Sequence, residues 1–108
     1  MIIPDIGIKK LVKDGFLPAG LKIGPSSVDL TLSDSFSWPE PVKKTITLGE
    51  AVPHKHVKKD EFLLEPNHFV LASTTESIRV PHDMAAYVEG RSSIGRLGLQ
   101  VQNAGFID

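Results

Sequence analysis

Apolar and polar positions change period along this chain, and each change predicts an element. Near the start, Ile8, Leu11 and Val12 fall at i, i+3 and i+4, with Asp5 ahead of them and Gly15 behind. That spacing makes one apolar face of a helix. It predicts a helix over residues 6–13, capped by Asp5 and stopped by Gly15. The period then drops to two, because Val28, Leu30 and Leu32 alternate with Asp29 and Thr31 in "PSSVDLTL" as in a half-buried strand. Pro39 and Pro41 break the chain, and the stretch from Lys43 to Glu61 is rich in Lys, His and Glu. It reads as a surface excursion with one weak strand at residues 46–48. "HFVLASTTESIRV", residues 68–80, is the most strand-like segment, and Pro81 separates it from "MAAYVEG". Short strands bounded by Pro and Gly, after a single helix, predict a mainly β barrel or sandwich with an N-terminal helix.

Composition changes this picture only at its margins. A chain of 108 residues makes one domain, residues 1–108, with a modest core. Its 41% hydrophobic and 23% charged residues are those of a globular protein. The net charge of -1 removes a chain-wide basic field, so no nucleic-acid partner is expected. There is no cysteine, which excludes disulfides and Cys-based zinc sites. "MIIPDIGIKK" lacks the apolar run of a signal peptide or membrane span, so the expected location is the cytoplasm, without a membrane partner.

Chemistry concentrates in "GRSSIGRLGL", residues 90–99, which holds two arginines, two serines and three glycines with no acidic side chain. Arg offers phosphate a planar fork of donors, Ser adds a hydroxyl, and Gly lets the backbone approach. The plainer alternative is a turn whose arginines pair with acids such as Glu89. The segment fits neither a Walker pattern nor a G-x-G-x-x-G fingerprint. His54-x-His56 has the look of a metal pair, but Lys55, Lys58 and Lys59 beside it repel a cation, and a solvated loop is expected. His68 and His82 stand alone near strand ends and read as structural. Asp29, inside an apolar alternation, needs a partner for its carboxylate and reads equally as structural or functional.

"GPSSVDLTL", "VEGRSSIGRLGL" and "NAGFID" occur in that order, with "STTESIRVPHDMAAYVEG" leading into the second. Together they resemble successive motifs of the dCTP deaminase branch of the dUTPase superfamily, over nearly the whole chain. The resemblance implies a dUTPase-like β-barrel or sandwich of the β-clip type, assembled as a homotrimer with nucleotide sites between subunits. It implies hydrolytic deamination of dCTP to dUTP and ammonia, either alone or in a bifunctional form that also releases pyrophosphate to give dUMP. Plain dUTPase activity and a non-catalytic nucleotide-binding or trimeric module remain as alternatives.

Carried over by residue, the resemblance makes Arg91, Ser92 and Ser93 the triphosphate contacts, with Ile94 in the same motif and Gly95 keeping the turn open. Arg96 matches a second arginine near the active centre, and Ser92 and Arg96 are the supporting catalytic groups. Ala104 and Gly105 bring backbone close to sugar and base, and Asp108 accepts the 3'-hydroxyl or orients water. Magnesium is expected to accompany the triphosphate. Zinc is not, since the H-x-E and P-C-x-x-C signatures of zinc deaminases are missing. In the family the general base is a glutamate that follows the "AGFID" motif. The sequence ends at Asp108, so the C-terminal strands and that base are expected to lie beyond these residues, and the 108 residues alone are expected to be inactive.

Overall fold

The structure is a computed structural model and describes residues 1–42, 44–102 and 105–108. It begins with helix α1 (Asp5–Lys13), whose apolar stripe buries Ile8 to 4% exposure. Asp5 is the first helical residue and not the cap. The cap is Pro4, whose carbonyl accepts the amides of Gly7 and Ile8 at 2.9 and 3.1 Å. The Asp5 carboxylate instead takes the Lys9 ammonium at 2.6 Å, one turn along, and still places negative charge at the positive end of the helix dipole. The predicted stop at Gly15 holds. With φ at 79°, Gly15 adopts the left-handed conformation open to glycine. The Phe16 amide then reaches back to the Leu11 carbonyl (2.9 Å) and the Gly15 amide to that of Val12 (3.1 Å). These are the two bonds of a Schellman motif.

The chain divides into two compact units, Met1–Val28 with Ser77–Asp108, and Asp29–Glu76. In the first, Phe16 receives two contacts from Arg79. The Arg79 amide donates to the Phe16 carbonyl at 2.9 Å, and its guanidinium carbon lies 5.0 Å from the Phe16 ring centroid. Strand β1 (Lys22–Ile23) pairs with β2 (Val28–Asp29), and a turn closed by the Gly24 amide on the Ser27 carbonyl joins them.

The second unit is built on β3 (Leu32–Pro39), flanked by antiparallel β4 (His54–Lys58) and β5 (Leu71–Thr74). Alternation along β3 sends Phe36 and Trp38 to one face and Ser35 and Ser37 to the other. Phe36 is 6% exposed and stacks on Phe62 at 4.8 Å, with Trp38 tilted against the same ring at 5.5 Å. This aromatic trio is the core of the unit.

Four expectations change. The alternating segment 28–32 is divided between β2 and the start of β3. Residues 46–48 form no strand, because the Glu50 carboxylate captures the Thr47 amide at 2.7 Å and Gly49 turns with φ at 94°. The His54–His56 segment is a strand and not a loop, since β3 supplies a partner edge for it. Of segment 68–80, only Leu71–Thr74 is strand. A register shift between Leu32 and Phe36 loosens that ladder, and the Glu76 carboxylate, not a strand carbonyl, takes the Thr31 amide at 2.8 Å. The architecture is mainly β with a short N-terminal helix, in three small sheets that form no closed barrel among the described residues.

Candidate functional site

The basic glycine-rich segment stands on a two-stranded stem. Strands β6 (Ala86–Tyr87) and β7 (Phe106–Ile107) pair antiparallel, Ala86 opposite Ile107 and Tyr87 opposite Phe106. The Tyr87 and Phe106 rings meet edge to face at 5.2 Å. One step further, the Val88 amide donates to the Gly105 carbonyl at 2.8 Å. The stem thus joins the residues just before the arginines to those of the "AGFID" motif. Inside the loop, Gly90 and Val101 lie so close that a Cβ on Gly90 meets Val101 Cγ2 at 3.0 Å.

Between them the chain folds into a short helix, α2 (Ser92–Gly95). Arg91 precedes it with extended backbone, and its carbonyl accepts the amides of Ile94 and Gly95, each at 3.0 Å. The Arg96 amide continues the turn onto the Ser92 carbonyl, and Gly98, with φ at 87°, ends it. Gly95 is therefore helical and does not open the turn. The residue that needs glycine's conformational freedom is Gly98. Helical spacing makes Arg96 a neighbour of both serines, four residues after Ser92 and three after Ser93. Arg91 and Arg96 occupy opposite ends of α2, about 7 Å apart along its axis. Residues 91–100 are all exposed, and no carboxylate occurs in the sequence between Glu89 and Asp108. The arrangement gathers two guanidinium groups and two hydroxyls on one exposed loop whose own sequence holds no carboxylate.

The other expected residues distribute differently. Gly105 lies at the root of the loop, whereas Asp108 follows the far end of β7, about 10 Å from Gly105 along an extended chain. Ala104 lies outside the described residues. Asp29 is half-buried in β2, and Glu89 is exposed. Two carboxyls are held below their usual range: Asp5, by the hydrogen bond and charge of Lys9, and Glu76, by the Thr31 amide. Neither belongs to the loop. His68 faces Glu65 at 3.5 Å on the surface. Among the described residues, no three His, Asp or Glu side chains converge on a point where a metal could sit. Clefts open in the second unit, one lined by Leu32, Ser33, Asp34, Asp60, Thr74 and Thr75. Sequence reading missed the Gly90–Val101 contact and the Val88–Gly105 link. The signal for both was the pair of apolar stretches, "AAYV" and "GFI", that bracket the basic segment.

The family model described as dCTP deaminase-like matches residues 2–108. The chain belongs to the dCTP deaminase-like family. Among curated relatives, the dCTP deaminase, dUMP-forming, of Sulfurihydrogenibium sp. is 38% identical over 117 aligned residues, covering 100% of this chain and 65% of its own. The protein of the same name from Persephonella marina is 40% identical over 118 residues, with 100% and 65% covered. That of Hydrogenobaculum sp. is 40% identical over 108 residues, with 99% and 59% covered. The chain therefore spans about three fifths to two thirds of the length of these dCTP deaminase-family proteins. Membership agrees with the mainly β fold, and no helix among the described residues is long and apolar enough to cross a membrane.

Proposed function

We propose that this domain serves the hydrolytic deamination of dCTP, with the loop from Arg91 to Arg96 as its triphosphate grip. Water adds at C4 of the cytosine ring, the amino group leaves as ammonia, and a carbonyl remains, giving dUTP. The name shared by the relatives supports a second step, in which another water cleaves the α–β phosphate bond and dUMP and pyrophosphate leave. The observation that carries the reading is the gathering of Arg91, Ser92, Ser93 and Arg96 on one exposed loop, whose stem ends at Gly105. A triphosphate carries close to four negative charges, and charge-assisted donors of this kind replace its hydration.

In this reading Arg91, Ser92 and Ser93 hold phosphates, while Arg96, on the same helix face as Ser92, turns toward the reacting base. Ile94 and Gly95 carry the backbone between them. Gly105 with Ala104 lies against the sugar and base, and Asp108 meets the 3'-hydroxyl. Magnesium enters with the nucleotide as the counter-ion of its phosphates, since the described residues offer no cage of their own. The group that moves protons at C4 lies beyond Asp108. The exposed apolar side chains Tyr87, Leu97 and Phe106 support a surface that another subunit covers, in a homotrimer working in the cytoplasm. Ammonia and pyrophosphate release, measured separately from dCTP and from dUTP with the full-length protein, tests the proposal. Pyrophosphate from dUTP without ammonia from dCTP replaces it with a plain dUTPase, and neither product leaves a binding module.

A further inference from the structure

The three-stranded sheet of the second unit has two unlike faces. One carries the aromatic core of Phe36 and Trp38, with Val57 opposite Phe36 and Phe62 stacked above. On the other face the register sets Lys58 opposite Ser35 and His56 opposite Ser37. Directly opposed residues in an antiparallel pair have Cβ atoms about 5 Å apart, and next neighbours along one strand on the same face are about 7 Å apart. Two hydroxyls, an ammonium and an imidazole therefore occupy the corners of a block of about 5 by 7 Å. Leu71, opposite Ser37 on β5, and Ser73 extend this face, and a shallow groove runs along Ser35, Ser37, Leu71 and Ser73.

The donors of this block are not used up within the fold. Ser33 and Ser73 share a hydrogen bond at 2.8 Å, but the hydroxyls of Ser35 and Ser37, the Lys58 ammonium and the His56 ring engage no other described residue. His56 and Lys58 are exposed, and Ser35 and Ser37 are half-buried. The one carboxylate in the three strands, Asp34, has the strand parity of Phe36 and Trp38 and so belongs to the aromatic side. His54 shares the parity of His56, but its Nδ1 is bonded to the Val52 carbonyl at 2.8 Å. The lysines that make His54-x-His56 unsuitable for a cation suit an anion.

We propose that Ser35, Ser37, His56 and Lys58 form a second oxyanion site, built without any residue of the Arg91 loop, that takes a phosphate group. The block is the size of one tetrahedral phosphate with its ring of hydrogen bonds, and its groups match that ligand. An ammonium supplies the charge, and two hydroxyls and an imidazole N–H supply directed donors. The site does not depend on the proposed reaction, and it stands or falls on the geometry of β3 and β4.

Titration of the 108-residue chain with inorganic phosphate, at constant ionic strength and followed by amide NMR, tests the assignment. Saturable shifts at Ser35, Ser37, His56 and Lys58 are expected, with at least a tenfold loss of affinity in Lys58→Ala and in Ser37→Ala. Lys58→Gln, which keeps most of the stem of this exposed side chain, shows the same loss with the strand β4 signals otherwise in place. Arg91→Ala leaves the shifts in β3 and β4 unchanged. Shifts confined to residues 91–96, or shifts in β3 and β4 that rise linearly and equally with chloride, overturn the proposal.

Discussion

Val101 packs against Gly90 so closely that a side chain at position 90 begins 3.0 Å from Val101 Cγ2 and 3.1 Å from its Cβ. This contact holds the two limbs of the basic loop together just above its stem. Gly90→Ala makes Val101 give way by a few tenths of an ångström, and since both positions are exposed it is expected to destabilise the chain by no more than about 1 kcal/mol, the low end of the range for overpacking a buried core. Val101→Ala in the same chain makes room and recovers part of that loss. Urea unfolding of the two single variants and the double variant measures the coupling, which is stabilising in the pair.

Acid acts at another point of the fold. The Thr31 amide donates to the Glu76 carboxylate at 2.8 Å and holds that carboxyl below its usual range. A lowered folded-state pKa contributes stability that is present above the unfolded value, about 4.3 for glutamate, and is lost as pH falls through the lower folded value. The melting temperature is expected to drop below about pH 4.3. Glu76→Gln is expected to melt lower at neutral pH and to show a shallower acid limb. The residual limb comes from Asp5, whose bond to Lys9 lowers its carboxyl in the same direction. Melting curves across pH, with a carboxyl titration of Glu76 by carbon NMR, check both statements.

The parts of the fold that were legible in the sequence are those where one residue's chemistry decides the outcome. Ile8, Leu11 and Val12 announced α1, and Gly15 announced its end. Strand β4 was illegible because "HKHVK" has one apolar residue, Val57, and its strand conformation comes from pairing with β3, a long-range fact. In β3, three serines hid a period of two that Phe36 and Trp38 complete. The opposite error was made at residues 75–80, where strand-like composition met a carboxylate, Glu76, that took the neighbouring amide. In the loop, the residue types of Arg91, Ser92 and Arg96 mark where basic and hydroxyl groups gather. The helix that spreads the arginines to its two ends was not, because short turns depend on backbone closures such as those onto the Arg91 carbonyl.

That spread separates the two arginines in experiment. In the proposed grip, Arg91→Ala is expected to remove charge-assisted hydrogen bonds worth about 1.5 to 3 kcal/mol each and to weaken dCTP binding by roughly ten- to a hundredfold. Arg96→Ala, at the other end of α2, is expected to lower turnover more than binding. Calorimetric titration and steady-state rates with the full-length protein give the two effects, and unfolding midpoints measured beside them separate lost binding from lost stability.

Divalent cations should act through the substrate. Magnesium is expected to raise dCTP affinity in the full-length protein but to leave the melting temperature of the nucleotide-free chain unchanged, since no three metal-ligating side chains converge among the described residues. A zinc-selective chelator is expected to leave turnover intact. Thermal shift with and without nucleotide, and rates with chelator, measure these outcomes.

The last prediction concerns the proton transfers. A general base at C4 needs a carboxylate or imidazole within hydrogen-bond reach of the attacking water, with a pKa suited to taking its proton. Around the loop, Glu89 lies two residues before Arg91 and is exposed to solvent, with no described contact that would hold it on a reacting water. Asp108 follows the far end of β7, about 10 Å along the strand from Gly105 at the root of the loop. Asp5 and Glu76 are both shifted downward, toward weaker bases. The proposed function therefore gives residues 1–108 the triphosphate grip and expects the base elsewhere in the full-length protein. General-base catalysis contributes typically about 10² to 10⁴-fold, so loss of that group is readily seen in the rate. We expect the 108-residue chain to bind dCTP without releasing ammonia above background, and a version extended through the following motif to turn it over. Ammonia release by the two proteins, side by side at equal bound dCTP, decides the point. Comparable rates place the base within residues 1–108 and make Glu89 and Asp108 the first residues to replace.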